Sequence, residues 1–171
     1  LRRFPQTRAI TAVDISTGMH QRAMERLHRH RAHKIGFIED DVLASNLSEN
    51  SADFVVSTFG LKTFNAEQHK KLARLIARIL KPGGAFSLIE ASDPHGWSLR
   101  GLYRVHMDVV LPLVERTLLK GAQDFSMIGQ YTKNFRDASA FGDMLKAESL
   151  EVTYRPYFFG CASGVSGRKP R

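Results

Sequence analysis

The segment Asp53–Phe64 reads DFVVSTFGLKTF. It opens as a short apolar run, closes in the turn-like pair Phe59-Gly60, and passes through Lys62-Thr63 toward Asn65, a residue suited to capping a helix. An apolar run of that length with an amphipathic helix after it predicts a buried parallel strand of an α/β sheet, here Asp53–Ser57. Ligands of such sheets sit outside the carboxyl ends of the strands. That rule puts Ser57, Thr58, Phe59 and Gly60 where chemistry is expected.

Downstream, Asn65 and Gln68 have the spacing of a capping box. Leu72, Leu75, Ile76, Ile79 and Leu80 then trace one apolar stripe at helical spacing. Lys81-Pro82-Gly83-Gly84 stops that helix, because proline cannot continue it and glycine supplies a left-handed turn. Ala85–Glu90 is the next strand and ends in an acid. Upstream, Ala9–Asp14 (AITAVD) reads as a buried strand, and Ser16 or Thr17 can cap a helix carrying Met19, Ala23 and Leu27 every four residues. A second strand, Ile35–Asp41, ends in Glu39-Asp40-Asp41, and a polar loop joins it to the central strand. The order β-α-β-β-α-β implies right-handed crossovers and a parallel sheet.

Asp93–Phe135 breaks the rhythm. It is dense in aromatic and large apolar residues without a strand signal, and it reads as two helices forming a lid over the carboxyl edge of the sheet. Asp137–Ala147 is an amphipathic helix with Phe141, Met144 and Leu145 inward. Leu150–Arg155 and Tyr157–Ser163 read as two strands joined at Pro156, a connection so short that they must form an antiparallel hairpin.

With 171 residues, 43% of them hydrophobic, the chain suits one domain over 1–171 and is too short for two ordinary ones. Its one cysteine, Cys161, excludes an internal disulfide and fits a reducing compartment. No apolar run reaches membrane-spanning length. A cytoplasmic protein is expected, peripheral at most at the inner membrane. The formal charge is +8, concentrated in Arg22–Lys34 and in Arg168-Lys169-Pro170-Arg171. Such charge serves nucleic acid, anionic lipid or a phosphorylated substrate, or simply solvates a helix face. No aromatic platform or recognition motif accompanies it, so no nucleic-acid partner is expected.

Taken together, AVDIS, IEDDV, DFVVSTFGLKTF and ILKPGGAFSLIEAS resemble the class I S-adenosylmethionine-dependent methyltransferases, and most of all the C-methyltransferases of ubiquinone and menaquinone biosynthesis. The closing FFGCASGVSGRK is similar to that family's last strand and tail. The resemblance implies a Rossmann-like methyltransferase sheet, mostly parallel, with a C-terminal antiparallel hairpin and a helical lid at about 93–135. It implies S-adenosylmethionine as cofactor. It assigns Asp14, with Ile15 after it, to the ribose hydroxyls, and a carboxylate can indeed accept two at once. It assigns Asp41 to the adenine amino group, Val42 to the ring through its backbone N–H, and Thr58 with Phe59 to the sulfonium and amino-acid end. Outside the resemblance, Asp14 also reads as a helix cap and Asp41 as a loop acid.

Two departures stand out. Lys62-Thr63 occupies the place of the family's Arg-Asn, keeping the charge and losing the planar fork and the amide. The family's glycine-rich loop should precede AVDIS by about a helix, where only LRRFPQTR is found. The expectation is therefore a chain truncated at its start, its first strand and helix missing.

Methylating a ring carbon requires in-line alignment and an acceptor made nucleophilic by deprotonating a neighbouring phenol. Lys62 is the candidate for orienting the acceptor. Glu90, His106, Asp108 and Tyr131 are further candidates for the base, which stays unassigned. The apolar lid suits an aromatic or lipophilic small molecule, while a helical core or a homodimer interface would use the same residues. A prenylated quinol would also give the basic surface a use at an anionic membrane. His28, His30 and His33 do not suit a metal, since helical residues two apart face nearly opposite ways. Two other functions stay open: a non-catalytic methyltransferase-fold remnant acting as a scaffold, and an RNA or protein methyltransferase. The latter predicts an Asn-Pro-Pro-Tyr clamp where Thr58-Phe59-Gly60-Leu61 stands.

Overall fold

The computed structural model describes residues 7–30, 35–118 and 125–171. Arg31, His33 and Lys34 of the basic segment, Leu119 of the apolar insertion and the opening residues 1–6 lie outside the described residues. The chain divides into two units, Leu1–Leu47 and Ser48–Arg171.

In the first unit, β1 (Ile10–Asp14) and β2 (Ile35–Glu39) pair in parallel from Ile10↔Ile35 to Asp14↔Glu39. The crossover is α1 (Thr17–His30), which starts where the Met19 N–H reaches Ser16 Oγ at 3.3 Å. The His20 ring meets Phe37 edge-on at 5.3 Å. Two expectations need correction. The strand β1 is not buried: Ile10 is 39% exposed, because two strands under one helix cannot enclose an apolar face. The strand β2 stops at Glu39 rather than Asp41, because Asp41 turns the chain, its Oδ1 accepting the Leu43 N–H at 2.9 Å.

The second unit holds a four-stranded sheet in the order β3-β4-β6-β5. Its strands are β3 (Ala52–Thr58), β4 (Leu80–Ala91), β5 (Glu151–Tyr157) and β6 (Ala162–Arg168). The β3/β4 pair is parallel; β4/β6 and β6/β5 are antiparallel. Between β3 and β4 runs α2 (Ala66–Ile79), opened by the full Asn65/Gln68 capping box and burying Leu72, Leu75, Ile76 and Ile79. Gly83 takes the left-handed turn at φ +77. The strand β4 nevertheless begins at Leu80, because Gly83 and Gly84 pair with Lys169 of the tail at 2.9 and 2.8 Å.

The hairpin is antiparallel, but Pro156 lies inside β5 and does not join the strands. The strand β5 is the edge of the sheet, where a missing N–H costs little. The connection is the short helical turn Phe158–Gly160. The insertion is helical as expected. A continuous run is built from α3 (Arg100–Val105), a π-helical turn His106–Val110 and α4 (Leu111–Leu118), and α5 (Phe125–Phe135) follows. The last helix, α6 (Ser139–Ala147), turns Phe141, Gly142 and Leu145 inward, with Met144 only half-buried. The glycine allows that face to press on β6: a Cβ there would stand 3.1 Å from Val165 Cγ1.

Candidate functional site

The carboxyl ends of β3 and β4 gather two buried acids of the second unit, Glu90 and Asp93, with their cations Lys62 and Arg100. The strand β3 continues past Thr58 through the Phe59 N–H, which donates to Ile89 O at 3.0 Å. The chain then breaks away at Phe59, whose φ of +60 is rare for a bulky side chain. The Phe59 ring is left 57% exposed while Leu61, two residues on, is buried.

This turn is held from below by one acid. Alternation along β4 puts Glu90 on the same inward face as Phe86 and Leu88, with its side chain fully buried. A carboxylate there must be partnered, and it is. Glu90 accepts from Lys62 N at 3.0 Å, from Lys62 Nζ at 2.9 Å and from Ala91 N at 2.8 Å. The same ammonium donates to Phe59 O at 2.9 Å and lies 5.7 Å from the Phe59 ring centroid. Lys62 is thereby turned into the fold, its side chain 11% exposed.

Just beyond β4, Asp93 is a second buried acid. It receives two parallel bonds from Arg100, Nε at 2.8 Å and Nη2 at 2.7 Å. The Arg100 guanidinium holds the Asp93 carboxyl below its ordinary range, against the opposing effect of burial. The Asp93 N–H donates to Arg136 O at 2.8 Å, and the Tyr103 hydroxyl donates to Ser92 O at 3.0 Å. Both α3 and the end of α5 are thus tied to the carboxyl end of β4. Burial pushes the Tyr103 phenol up to about 12. Ser92 and Ser163 share a short hydroxyl–hydroxyl bond, and Ser163 also caps the Ala138 N–H at 2.8 Å.

In the first unit, Asp14 and Asp41 stand at the carboxyl end of the same parallel pair, and the Asp40 N–H donates to Asp14 O at 3.3 Å. Both acids are exposed. Asp14 Oδ1 accepts the Ser16 N–H at 2.8 Å, and Oδ2 has no partner among the described residues. Ile15 beside it is 72% exposed and Val42 is half-buried. The site residues named from sequence therefore fall into two sets: Asp14, Ile15, Asp41 and Val42 on one strand pair, and Thr58, Phe59 and Lys62 on the other sheet.

Among the candidate bases, Glu90 is fully engaged by its three N–H groups, Asp108 is held bidentate by Arg104 at 2.9 and 2.7 Å, and His106 faces solvent. Tyr131 is half-buried in α5. Burial pushes the Cys161 thiol up, away from the thiolate form. No metal-ligating cluster occurs among the described residues. Sequence reasoning missed the Asp93–Arg100 pair and the stacking of Trp97 on Phe159, ring centroids 5.3 Å apart and 6° from parallel. Nothing periodic links these partners. Only the crowding of Glu90, Ser92, Asp93 and His95 marked the segment.

The model of the ubiE/COQ5 methyltransferase family matches residues 2–169. A demethylmenaquinone methyltransferase from Geobacillus stearothermophilus is 25% identical over 161 residues, covering 94% of this chain and 68% of that protein. The fold is that of an O-methyltransferase family protein from Burkholderia thailandensis, with a TM-score of 0.68 and 20% identity over 99% of this chain. It is also that of the N-methyltransferase NodS from Bradyrhizobium japonicum in complex with S-adenosyl-L-homocysteine, with a TM-score of 0.62, 15% identity and coverage of 95% of this chain and 67% of that one. The chain spans about half the length of the Burkholderia structure, 46%.

Proposed function

The chain belongs to the ubiE/COQ5 methyltransferase family, and we propose that it is an S-adenosylmethionine-dependent methyltransferase that C-methylates an aromatic or quinol-type lipophilic small molecule. The observation that carries the reading is the left-handed Phe59 turn at the carboxyl end of β3, pinned by Lys62 and the buried Glu90 where such sheets receive ligands.

Each unit by itself offers groups suited to a part of the cofactor. Asp14 offers an exposed carboxylate oxygen with no partner among the described residues, suited to ribose hydroxyls. Asp41 offers an exposed carboxylate beside the Val42 backbone for the adenine edge. Thr58 and Phe59 offer a hydroxyl and an exposed ring at a strand end for the amino-acid portion. When bound, S-adenosylmethionine supplies an electrophilic methyl group on a sulfonium. The protein's part is to bind, align and exclude water. Lys62 acts on alignment through the turn: with its ammonium on Phe59 O and Glu90, it fixes the rim against which the acceptor is oriented. The helical run from Arg100, tied to Asp93 and Ser92, is proposed to cover that edge as a lid. The protein is proposed to be cytoplasmic and peripheral, drawing its lipophilic acceptor from a membrane; no helix among the described residues is long and apolar enough to cross one.

Isothermal titration of S-adenosylmethionine into this chain tests the reading. Wild type should bind, and Asp14→Ala should bind at least about tenfold more weakly, two charge-assisted hydrogen bonds being lost. Its thermal midpoint should be nearly unchanged. No heat from wild type would overturn the reading in favour of a non-catalytic member of the fold.

A further inference from the structure

The turn Phe158–Gly160 leaves two consecutive aromatic side chains in water, Phe158 78% and Phe159 77% exposed. Both are left-handed, at φ 48 and 58, a conformation bulky residues seldom hold. The backbone beneath them is fixed. Cys161 N–H donates to Phe158 O at 3.0 Å, and Gly160, at φ +93, packs so close to Pro94 that a Cβ would stand 3.2 Å from its Cα. Phe159 stacks on Trp97, which makes a rigid aromatic tip at the carboxyl edge of the sheet. Five residues after Trp97 begins a second exposed apolar feature. Leu102, Val105, Val109 and Leu113 follow at intervals of three, four and four along the helical run and are all more than half exposed. That spacing is one face of one helix.

We propose that this tip and helix face are the element by which the protein lies on an anionic bilayer, an assignment that rests on the peripheral-membrane part of the reading above. Charge selects the bilayer over a second copy. The edge is itself basic: Arg136 and Arg155 are exposed with no ion pair among the described residues, so copies of the edge repel one another while acidic lipid attracts it. Of the acids at this edge, Glu90 and Asp93 are buried and tied to Lys62 and Arg100, and the more exposed Asp108, beside Val109 on the helical run, is neutralised by Arg104. Arg155, exposed on the edge strand two residues from Tyr157, has no ion pair among the described residues and faces the headgroup layer in this arrangement. An apolar tip with a basic flank is the composition interfacial anchors use.

Trp97 is the only tryptophan of the chain and reports on the tip directly. Vesicles of phosphatidylcholine alone are compared with vesicles carrying about one-third phosphatidylserine, a composition that sets the surface potential. Wild type should sediment with the acidic vesicles only, release at high salt, and shift its tryptophan emission to the blue. Phe158→Asn with Phe159→Asn keeps the turn, because asparagine tolerates left-handed backbone, and should weaken vesicle binding about tenfold for each ring. Leu102→Gln with Val109→Gln tests the helix face separately and should also weaken it. All variants should keep the wild-type melting point and cofactor titration, which separates failure here from failure of the methyltransferase reading. Equal vesicle binding by the asparagine pair, or sedimentation without an emission shift, overturns the assignment and leaves peripheral binding standing. Wild type that ignores both vesicle types removes the membrane contact altogether. Self-association that the asparagine pair abolishes would give the surface to a second copy and overturn it too.

Discussion

Replacing Lys62 with methionine isolates the buried acid beneath the Phe59 turn. Glu90 is fully buried and would lose the Nζ bond of 2.9 Å while keeping only the two backbone N–H groups of Lys62 and Ala91. Lys62 is itself 11% exposed, so solvent screens the pair little. Removing one partner of a buried pair leaves an uncompensated charge and costs about 3–5 kcal/mol. For a chain of this length that corresponds to a fall in Tm of roughly 6–20 °C. The double substitution Lys62→Met with Glu90→Gln removes both charges, and buried pairs replaced together are often near neutral. It should recover a coupling energy of roughly 1–3 kcal/mol. Urea denaturation of wild type, both singles and the double closes the cycle. A Lys62→Met cost below about 1 kcal/mol would show an exposed, screened pair. Additive singles would show that the two side chains do not act on each other. Either result refutes the reasoning.

Asp93 gives the acid limb of stability. Its folded pKa lies below its ordinary value of 3.8, so its contribution is complete above that pH and is lost as pH falls through the folded value. Acid titration of wild type should therefore show stability declining below about pH 4, and Asp93→Asn should remove that part of the slope while lowering stability at neutral pH. Lys169 clamps the end of α2 from the far end of the chain, its Nζ donating to Ala77 O at 2.8 Å, Leu80 O at 3.0 Å and Asn50 Oδ1 at 3.1 Å. Lys169→Met should cost about 1–3 kcal/mol, read by denaturant midpoint, and increase amide exchange at the end of α2 first.

What the sequence disclosed follows from how local each signal is. Helix α2 was legible throughout, since its cap, stripe and stop lie within twenty residues and each is a local preference. The same segment misled at its end: Lys81–Gly84 looks like a bare turn, yet it becomes strand through pairing with Lys169, a partner far along the chain. Pro156 misled for a related reason, because its placement depends on β5 being an edge, and the order of strands is not local information. Burial of β1 was read from its apolar letters, but burial needs neighbours, and one strand and one helix are all its own unit supplies. At the site, the acid closing β4 and the lysine of the Phe59 turn were both visible as candidates. That they pair with each other was not, because it requires Glu90 to face inward and the chain to reverse at a left-handed phenylalanine.

That reversal belongs to a wider pattern. Among the described residues, six non-glycine residues hold positive φ: Asn50, Phe59, Arg136, Ser149, Phe158 and Phe159. Asn50 and Ser149 are small and polar, and they precede β3 and β5 at the amino end of the parallel strands, where tight turns need no more explanation. The other four are bulky, and each is bonded to the carboxyl end of β4 or follows β5 at that same end: Phe59 to Ile89, Arg136 to Asp93, and the Phe158 turn through Cys161 O to the Ser92 N–H. Strain of about 1–3 kcal/mol at each such residue persists only where the surroundings over-determine it. Here the surroundings are the two buried acid–cation pairs and the glycine packed on Pro94. A fold selected for stability alone would spread such residues or replace them with glycine. Concentrating them along one edge presents Phe59, Phe158 and Phe159 outward on a backbone held in place, which is what the proposed orienting turn at Phe59 and the proposed membrane contact at Phe158 and Phe159 would each require.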